Sequence, residues 1–419
     1  MPVRDAPQRN LFDYSYYILI ASFIILFFNA GARFSIGVVF KPMIAEFGWS
    51  RSAISLAVFI NMAVFALSLT VVGKFYDRYG PKWVILISTF FASAGCIFLS
   101  QIYSLGGFLI VYGIILAIGL GGTSATLVAA LASKWFQRGR GLAISLALSG
   151  NCLGQFILIP LFNSLILDFN WRLLFFGLGV IMLGVNTLLS LFVLKNDPIL
   201  PECRIERVKI APSSQDLTLP QAMKTSSFWL FLVTMFICGS GDFLISTHLI
   251  PFVTDHHIPS STASHMFGWF GLFSLAGILV TGPVSDRVGN KIPIALTFVL
   301  RALLFFLILQ SQSVESLYIF ALLFGFTFLV TAPLTTTLVA RLYGLNHVGL
   351  ISGFITTIHH LAGGFWAYLG GWIFDRTGSY RVAFFISLIL AVVAVFSTLF
   401  IKEERYHLSG WRKGSGTSK

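Results

Sequence analysis

The chain has 419 residues, of which 56% are hydrophobic and only 11% charged; its mean hydropathy is +0.86 and its formal net charge +12. That composition excludes a soluble globular domain and predicts an integral membrane protein. The basic excess does not point to nucleic acid, because no basic face exists outside the short segments between apolar runs.

Runs of spanning length predict helices near 15–40, 51–73, 83–101, 106–132, 141–165 and 172–194, then near 227–253, 262–284, 292–311, 316–340, 349–373 and 381–401. The runs do not alternate apolar with polar residues, so barrel strands are excluded. Arg4 and Arg9 ahead of the first run mimic a secretory signal, but the apolar stretch continues through Phe40, which predicts an uncleaved first helix. Between the sixth and seventh runs lies a polar stretch with Pro198, Pro201, Pro212 and Pro220. The organisation expected is a first bundle over 1–195, a linker over 196–225 and a second bundle over 226–419.

Gly73-Lys-Phe-Tyr-Asp77-Arg78-Tyr-Gly-Pro-Lys82 returns as Gly282-Pro-Val-Ser-Asp286-Arg287-Val-Gly-Asn-Lys291, both reading G-x-x-x-D-R-x-G-x-K. Trp171-Arg172…Phe175 returns as Tyr380-Arg381…Phe384 at the same offset of 209 residues. The chain therefore reads as a tandem duplication. With the N-terminus inside, most of the 28 Lys and Arg fall on the inner side and only Lys41, Arg51, Arg172, Arg376 and Arg381 on the outer. Both termini and the linker are expected in the cytoplasm, in the inner (plasma) membrane. Of the four cysteines, Cys96, Cys152 and Cys238 lie in predicted helices and Cys203 in the linker, without disulfide or metal spacing. No nucleotide loop or catalytic triad is present, so no enzyme activity, cofactor or metal is expected.

Two six-helix halves, the doubled motif and a long central loop resemble the major facilitator superfamily of secondary transporters. Gly37-Val-Val-Phe-Lys-Pro, Glu46-Phe-Gly-Trp49-Ser-Arg51, Gly349-Leu-Ile-Ser-Gly353, His359-His360-Leu-Ala-Gly-Gly and Phe374-Asp375-Arg-Thr-Gly-Ser-Tyr380 are similar to bacterial monocarboxylate-transporter-like and oxalate:formate-antiporter-like members. The resemblance implies an all-α membrane protein, twelve transmembrane helices in two pseudo-symmetric six-helix bundles. It also implies that helices 1, 4, 7 and 10 line a cavity with 2, 5, 8 and 11, and that 3, 6, 9 and 12 support them. The doubled motif is viewed in that superfamily as a conformational latch, which assigns Gly73, Asp77, Arg78, Gly282, Asp286 and Arg287 to gating. The plainer reading, a topology signal, accounts for Lys82 and Lys291 but not for a repeated glycine and acid.

Charges within the hydrocarbon are costly, so Arg33, Asp242 and Arg301 are functional candidates by default. Arg33, one turn above Asn29, is either a carboxylate anchor or an interfacial arginine that snorkels outward. Arg301 lies on a supporting helix and is either half of a structural ion pair, which its position favours, or a substrate ligand. Asp242 is either a proton carrier or the partner of Arg33 or Arg301 in a permanent salt bridge. His359 matches a substrate-binding lysine of the oxalate:formate antiporters and is either a switchable cation or a neutral histidine satisfied by a backbone carbonyl or serine; His360 is grouped with Asp242 for proton coupling, and adjacent residues diverge, so at most one of the two is expected to face the cavity. In carboxylate carriers an arginine lies four residues before the glycine corresponding to Gly282; here that residue is Ile278. Asn61, Asn151, Gln155, Thr331 and Thr335 complete the polar set, and Arg33, Asn29, Asn151, Gln155 and His359 are the substrate candidates.

The reading that results is a secondary transporter, working by alternating access as a monomer in the lipid bilayer, of a small organic anion, a monocarboxylate, with H+ as the coupling ion. The competing readings are an efflux carrier for amphipathic compounds and a sensor or assembly factor on the same fold.

Overall fold

The computed structural model describes residues 9–136, 140–196 and 216–403. Twelve helices are long and apolar enough to cross a membrane: α1 Tyr14–Phe47, α2 Arg51–Tyr79, α3 Pro81–Leu99, α4 Leu105–Trp135, α5 Gly141–Asp168, α6 Trp171–Val193, α7 Ser226–Asp255, α8 Ser260–Val288, α9 Lys291–Gln310, α10 Val314–Tyr343, α11 Val348–Thr377 and α12 Arg381–Leu399. Helices satisfy their own backbone hydrogen bonds, which is what apolar segments in a bilayer require. Starts are fixed by side-chain caps: Ser50, Ser104, Asn170, Thr225 and Ser313 each accept the backbone N–H three residues on.

The sequence places the ends of α2 and α8 near Gly73 and Gly282, where charge begins. The helices run on through Asp77-Arg78 and Asp286-Arg287 and stop at Gly80 and Gly289, with φ of 83° and 82°. Charged residues do not break a helix once it reaches water, whereas glycine in the left-handed region does. The motif is thus a helix end plus a turn. Its lysine ties the turn down in both halves: Lys82 Nζ donates to the Leu191 carbonyl at 2.8 Å and Lys291 Nζ to the Ile401 carbonyl at 3.1 Å, at the C-terminal ends of α6 and α12.

The packing repeats with an offset of six helices. Within the first bundle α1 packs on α5, α2 on α4 and α3 on α6; within the second, α7 packs on α11, α8 on α10 and α9 on α12. The bundles meet along α2 with α11 and along α5 with α8, again one pair reproduced by the other. Described residues 216–225, expected in the linker, belong instead to the second bundle. Leu217 donates its N–H to the Tyr343 carbonyl, Asp216 accepts from the N–H groups of Leu345 and Asn346, and Leu217 and Ala222 are buried. Residues 197–215 of the expected linker, with Cys203, lie outside the described residues.

Glycine sets the closest approach inside the second bundle. A methyl at Gly239 of α7 would overlap the His359 carbonyl of α11, whereas one at Gly353 would meet nothing within 4 Å. Gly239→Ala should therefore destabilise the protein by about 1–3 kcal/mol, and Gly353→Ala by no more than about 0.5 kcal/mol. Thermal unfolding of the two variants in detergent measures the difference; equal melting temperatures would contradict the packing argument.

Candidate functional site

The offset of 209 residues pairs Arg33 of α1 with Asp242 of α7, so the duplicated halves carry opposite charges at one equivalent position. Their surroundings differ. Asp242 is 2% exposed and sits 2.6 Å from Arg301 Nη2, itself 1% exposed. Arg301 Nε donates to Thr327 Oγ1 at 3.0 Å and Nη2 to the Thr327 carbonyl at 3.1 Å. The expected partnership of Arg301 is with Asp242, and Arg33 is not the partner.

His359 joins this cluster. Its Nδ1 faces the Met235 carbonyl at 3.3 Å and so carries the hydrogen, which turns Nε2 toward Asp242 Oδ2 at 3.8 Å. At that separation the two face each other beyond hydrogen-bond distance. Cys238, Asp242 and His359 also bring a sulfur, an oxygen and a nitrogen within 4.8 Å of one another. Arg301 already faces that carboxylate and lies 3.6 Å from that sulfur, so a metal ion would meet a guanidinium charge.

Arg33 is partly buried and has no hydrogen-bond or ion-pair partner among the described residues. Its guanidinium lies 4.8 Å from the Phe65 ring of α2 and 5.7 Å from the Phe243 ring of α7. It therefore points between the bundles, and the outward-snorkelling reading is overturned: two aromatic faces from both halves hold it inside. Two cation–π contacts contribute about 0.5–2 kcal/mol each, less than the several kcal/mol of desolvation a buried ion costs. The site is electrostatically incomplete.

His360 stands beside Arg33 against the same two rings, 5.1 Å from Phe65 and 5.6 Å from Phe243, with Nδ1 on the Thr356 carbonyl at 2.8 Å. The histidines thus diverge as adjacent residues must, but in the reverse of the expected sense. His359 turns into the second bundle because Gly239 lets α7 close on it, and His360 turns to the interface.

The uncharged candidates are mostly committed. Asn29 Nδ2 donates to the Thr123 carbonyl at 2.7 Å, leaving Oδ1 buried without a partner; Asn61 Nδ2 donates to the Tyr112 carbonyl at 2.6 Å. Gln155 Nε2 crosses the bundle interface to the Phe267 carbonyl at 2.9 Å, close to the Cys152–Ser274 contact at 3.4 Å. Thr331 lies 3.3 Å from Cys238 Sγ and Thr335 bonds the Thr331 carbonyl, both inside the second bundle. Asn151 is partly buried at the position equivalent to His360. With Ile278 at that position, α8 carries no arginine or lysine between Ser260 and Asp286, and the unpaired mid-membrane cation among the described residues is Arg33 of α1.

At the end of the molecule carrying the doubled motif, Asp77, Arg78, Asp286 and Arg287 are exposed, without hydrogen-bond or ion-pair partners among the described residues; Arg78 only rests 5.3 Å from the Tyr79 ring. The opposite end is clamped by residues to which the sequence reading gave no role. Arg51 of α2 grips Asp255 of α7 with both guanidinium nitrogens, at 2.7 and 2.8 Å, and Lys41 of α1 reaches the same carboxylate at 2.7 Å. Asp375 of α11 accepts the N–H groups of Arg51 and Ser52 at 3.0 and 2.8 Å. Tyr380 hydroxyl bonds both Arg51, at 2.9 Å, and His248 Nδ1, at 2.8 Å. The signal was present in the Trp171-Arg172 and Tyr380-Arg381 repeat: Glu46, 209 residues before Asp255, holds Trp171 Nε1 and Arg172 within its own bundle.

Among the described residues, the hydrogen bonds and ion pairs named above between the bundles thus run from mid-membrane to the Arg51 end. The Major Facilitator Superfamily model matches residues 22–256 and 230–415. The chain is 28% identical over 401 residues to the uncharacterized MFS-type transporter YcxA of Bacillus subtilis (strain 168), covering 94% of each chain. It is 25% identical over 378 residues to monocarboxylate transporter 13 of Bos taurus, covering 88% of this chain and 85% of that one. Among solved structures, a bacterial homolog of the human lysosomal transporter Spinster, in inward-facing and occupied conformation, matches with a TM-score of 0.73 at 16% identity, over 93% of this chain and 97% of that one. Sequence, fold and packing agree, and the chain belongs to the major facilitator superfamily of membrane transporters.

Proposed function

We propose that the protein carries a small organic monoanion, a monocarboxylate with an apolar body, together with H+, by rocking of its two bundles in the inner membrane with the motif end in the cytoplasm. The observation that carries this reading is Arg33, a cation between the bundles with no partner of its own. Mid-membrane charge consists of Arg33, Arg301 and Asp242, and Arg301 is neutralised by Asp242. One negative charge completes the site, and the planar guanidinium suits a carboxylate in two parallel hydrogen bonds. Phe65 and Phe243 supply apolar faces beside it. Neither efflux of neutral amphipathic compounds nor a non-transporting role needs an unpaired cation there.

Coupling follows from the His359-His360 dipeptide on α11. His360 shares its aromatic walls with Arg33, and His359 faces the Asp242 carboxylate, so any shift of α11 that accommodates cargo also moves the proton-holding pair. Proton uptake between Asp242 and His359 weakens the hold of Asp242 on Arg301 and loosens α7 against α9. Binding at one pair and titration at the other then act on the same helix.

The anchor is tested in proteoliposomes loaded with candidate monocarboxylates. Arg33→Lys keeps the charge but loses the fork, and should weaken binding by about 1–3 kcal/mol; Arg33→Gln should be weaker still. Unchanged uptake kinetics in both would remove Arg33 from the site.

Coupling predicts that Asp242→Asn strands Arg301 and lowers stability by about 3–5 kcal/mol. Removing both charges in Asp242→Asn/Arg301→Gln should recover much of the loss. The double variant should exchange substrate in counterflow but fail to accumulate it against a gradient when the pH difference is imposed. Accumulation at the parental level would defeat the proton assignment.

Among the described residues Asp77 and Asp286 have no ion-pair partner, so Asp77→Asn and Asp286→Asn should lower stability by no more than about 0.5 kcal/mol. They should instead alter how often the motif end closes. Identical labelling rates at cysteines introduced along that mouth, in variants and parent, would rule out a latch.

A further inference from the structure

We infer that Lys41, Arg51 and the first turn of α2 form a second carboxylate-binding site on the first bundle, which Asp255 and Asp375 of the second bundle occupy while this end is closed. The inference rests on the alternating-access reading above, in which this end is the external mouth.

The geometry is that of a ligand site. Asp255 presents one carboxylate to two cations from α1 and α2: Arg51 takes it in a fork at 2.7 and 2.8 Å, and Lys41 Nζ adds a third contact at 2.7 Å. The guanidinium is held from the other side by the Phe374 ring at 3.5 Å and by the Tyr380 hydroxyl at 2.9 Å. A few ångströms along the chain, the N–H groups of Arg51 and Ser52 receive the Asp375 carboxylate at 3.0 and 2.8 Å, the position where a helix N-terminus favours an anion. Both acids come from α7 and α11, and both receiving groups from α1 and α2. All the cationic and donor groups are therefore on one bundle and all the carboxylates on the other.

Duplication sharpens the point. Glu46, the equivalent of Asp255, is satisfied within its own bundle by Arg172 at 2.6 Å and Trp171 Nε1 at 2.7 Å. Asp255 had the same option in Arg381, the equivalent of Arg172, and pairs across the interface instead. When the bundles part at this end, Asp255 and Asp375 leave with the second one. Lys41 and Arg51 remain as two adjacent, uncompensated cations at the mouth, and a carboxylate from outside replaces the departed acid. On closing, Asp255 retakes the cations and releases that carboxylate toward Arg33. The protein's own acid thus competes with its cargo for one site.

The experiment uses the full chain with Cys203→Ser and spin labels at Gln101→Cys and Val314→Cys, exposed positions at the Arg51 end of opposite bundles. Without any ligand, double electron–electron resonance should show one dominant short distance in this background. Asp255→Asn/Asp375→Asn should move population to a longer one, and the single variants Asp255→Asn and Asp375→Asn should do so in part, which covers a double variant that fails to fold. Binding of radiolabelled acetate is then measured in Arg33→Gln/Asp255→Asn/Asp375→Asn, where the mid-membrane anchor is absent. Adding Arg51→Gln should weaken it by about tenfold or more, and adding Lys41→Gln by less. A closed distance that survives neutralisation of the acids, singly and together, would overturn the inference, as would acetate binding indifferent to Arg51→Gln. If Arg33 proves irrelevant to transport, these ligand-free distances still decide the outer site on their own.

Discussion

A charge in the hydrocarbon of a bilayer must find a partner, and the architecture of this protein follows from how three mid-membrane charges solve that problem. Arg301 and Asp242 solve it statically, 2.6 Å apart, and the pair fastens α9 to α7 with Thr327 of α10 beside it. Arg33 does not solve it within the described chain. The first bundle therefore carries an uncompensated cation at its inner surface, and the second carries a neutralised cluster in which His359 and Asp242 face each other 3.8 Å apart. In the proposed function, cargo and coupling ion would address different bundles, each acting on the interface between them.

Duplication explains why the halves fit and divergence explains why they work. The helix pairings recur with an offset of six, and so do the glycine stops at Gly80 and Gly289 and the lysine ties to the ends of α6 and α12. Charge within the hydrocarbon does not recur. Arg33 stands where the other half has Asp242, and Asn151 where it has His360. A symmetric charge set would make each bundle self-sufficient or make both repel; opposite charges at equivalent positions give each bundle a different task on one scaffold.

The fold was legible because a bilayer demands long apolar helices and the sequence supplies twelve, with ends within a few residues except at α1, α2, α8 and α11, which the reading cut short. The expected ends of α2 near 73 and of α8 near 284 fall short because charge does not stop a helix that has reached water, whereas Gly80 and Gly289, at φ of 83° and 82°, do. Residues 216–225 looked like linker because their anchoring, Asp216 on the N–H groups of Leu345 and Asn346, depends on a turn more than a hundred positions away. The roles of His359 and His360 could not be separated without knowing that Gly239 admits the His359 carbonyl, which fixes the rotation of α11. The clamp at Arg51, Lys41, Asp255 and Asp375 escaped for a related reason: each charge sits at a helix end, where a snorkelling residue and a gating residue have the same sequence signature.

The two ends of the molecule are in opposite electrostatic states, as the proposed rocking of the bundles requires. At one end Arg51, Lys41, Asp255 and Asp375 are mutually satisfied; at the other Asp77, Arg78, Asp286 and Arg287 are bare. If the bundles, in contact along α2 with α11 and α5 with α8, rock as proposed, closing one mouth separates the other. Partly exposed ion pairs at such a mouth contribute on the order of 1 kcal/mol each, small enough for one end to balance the other. A mouth sealed by apolar packing alone would bury area in proportion to closure and fall into one state; charges that exchange water for a partner at nearly equal free energy keep the two states close. Under the proposed cycle, that near-balance would let a single carboxylate at Arg33, or a single proton at Asp242 and His359, decide which end is open.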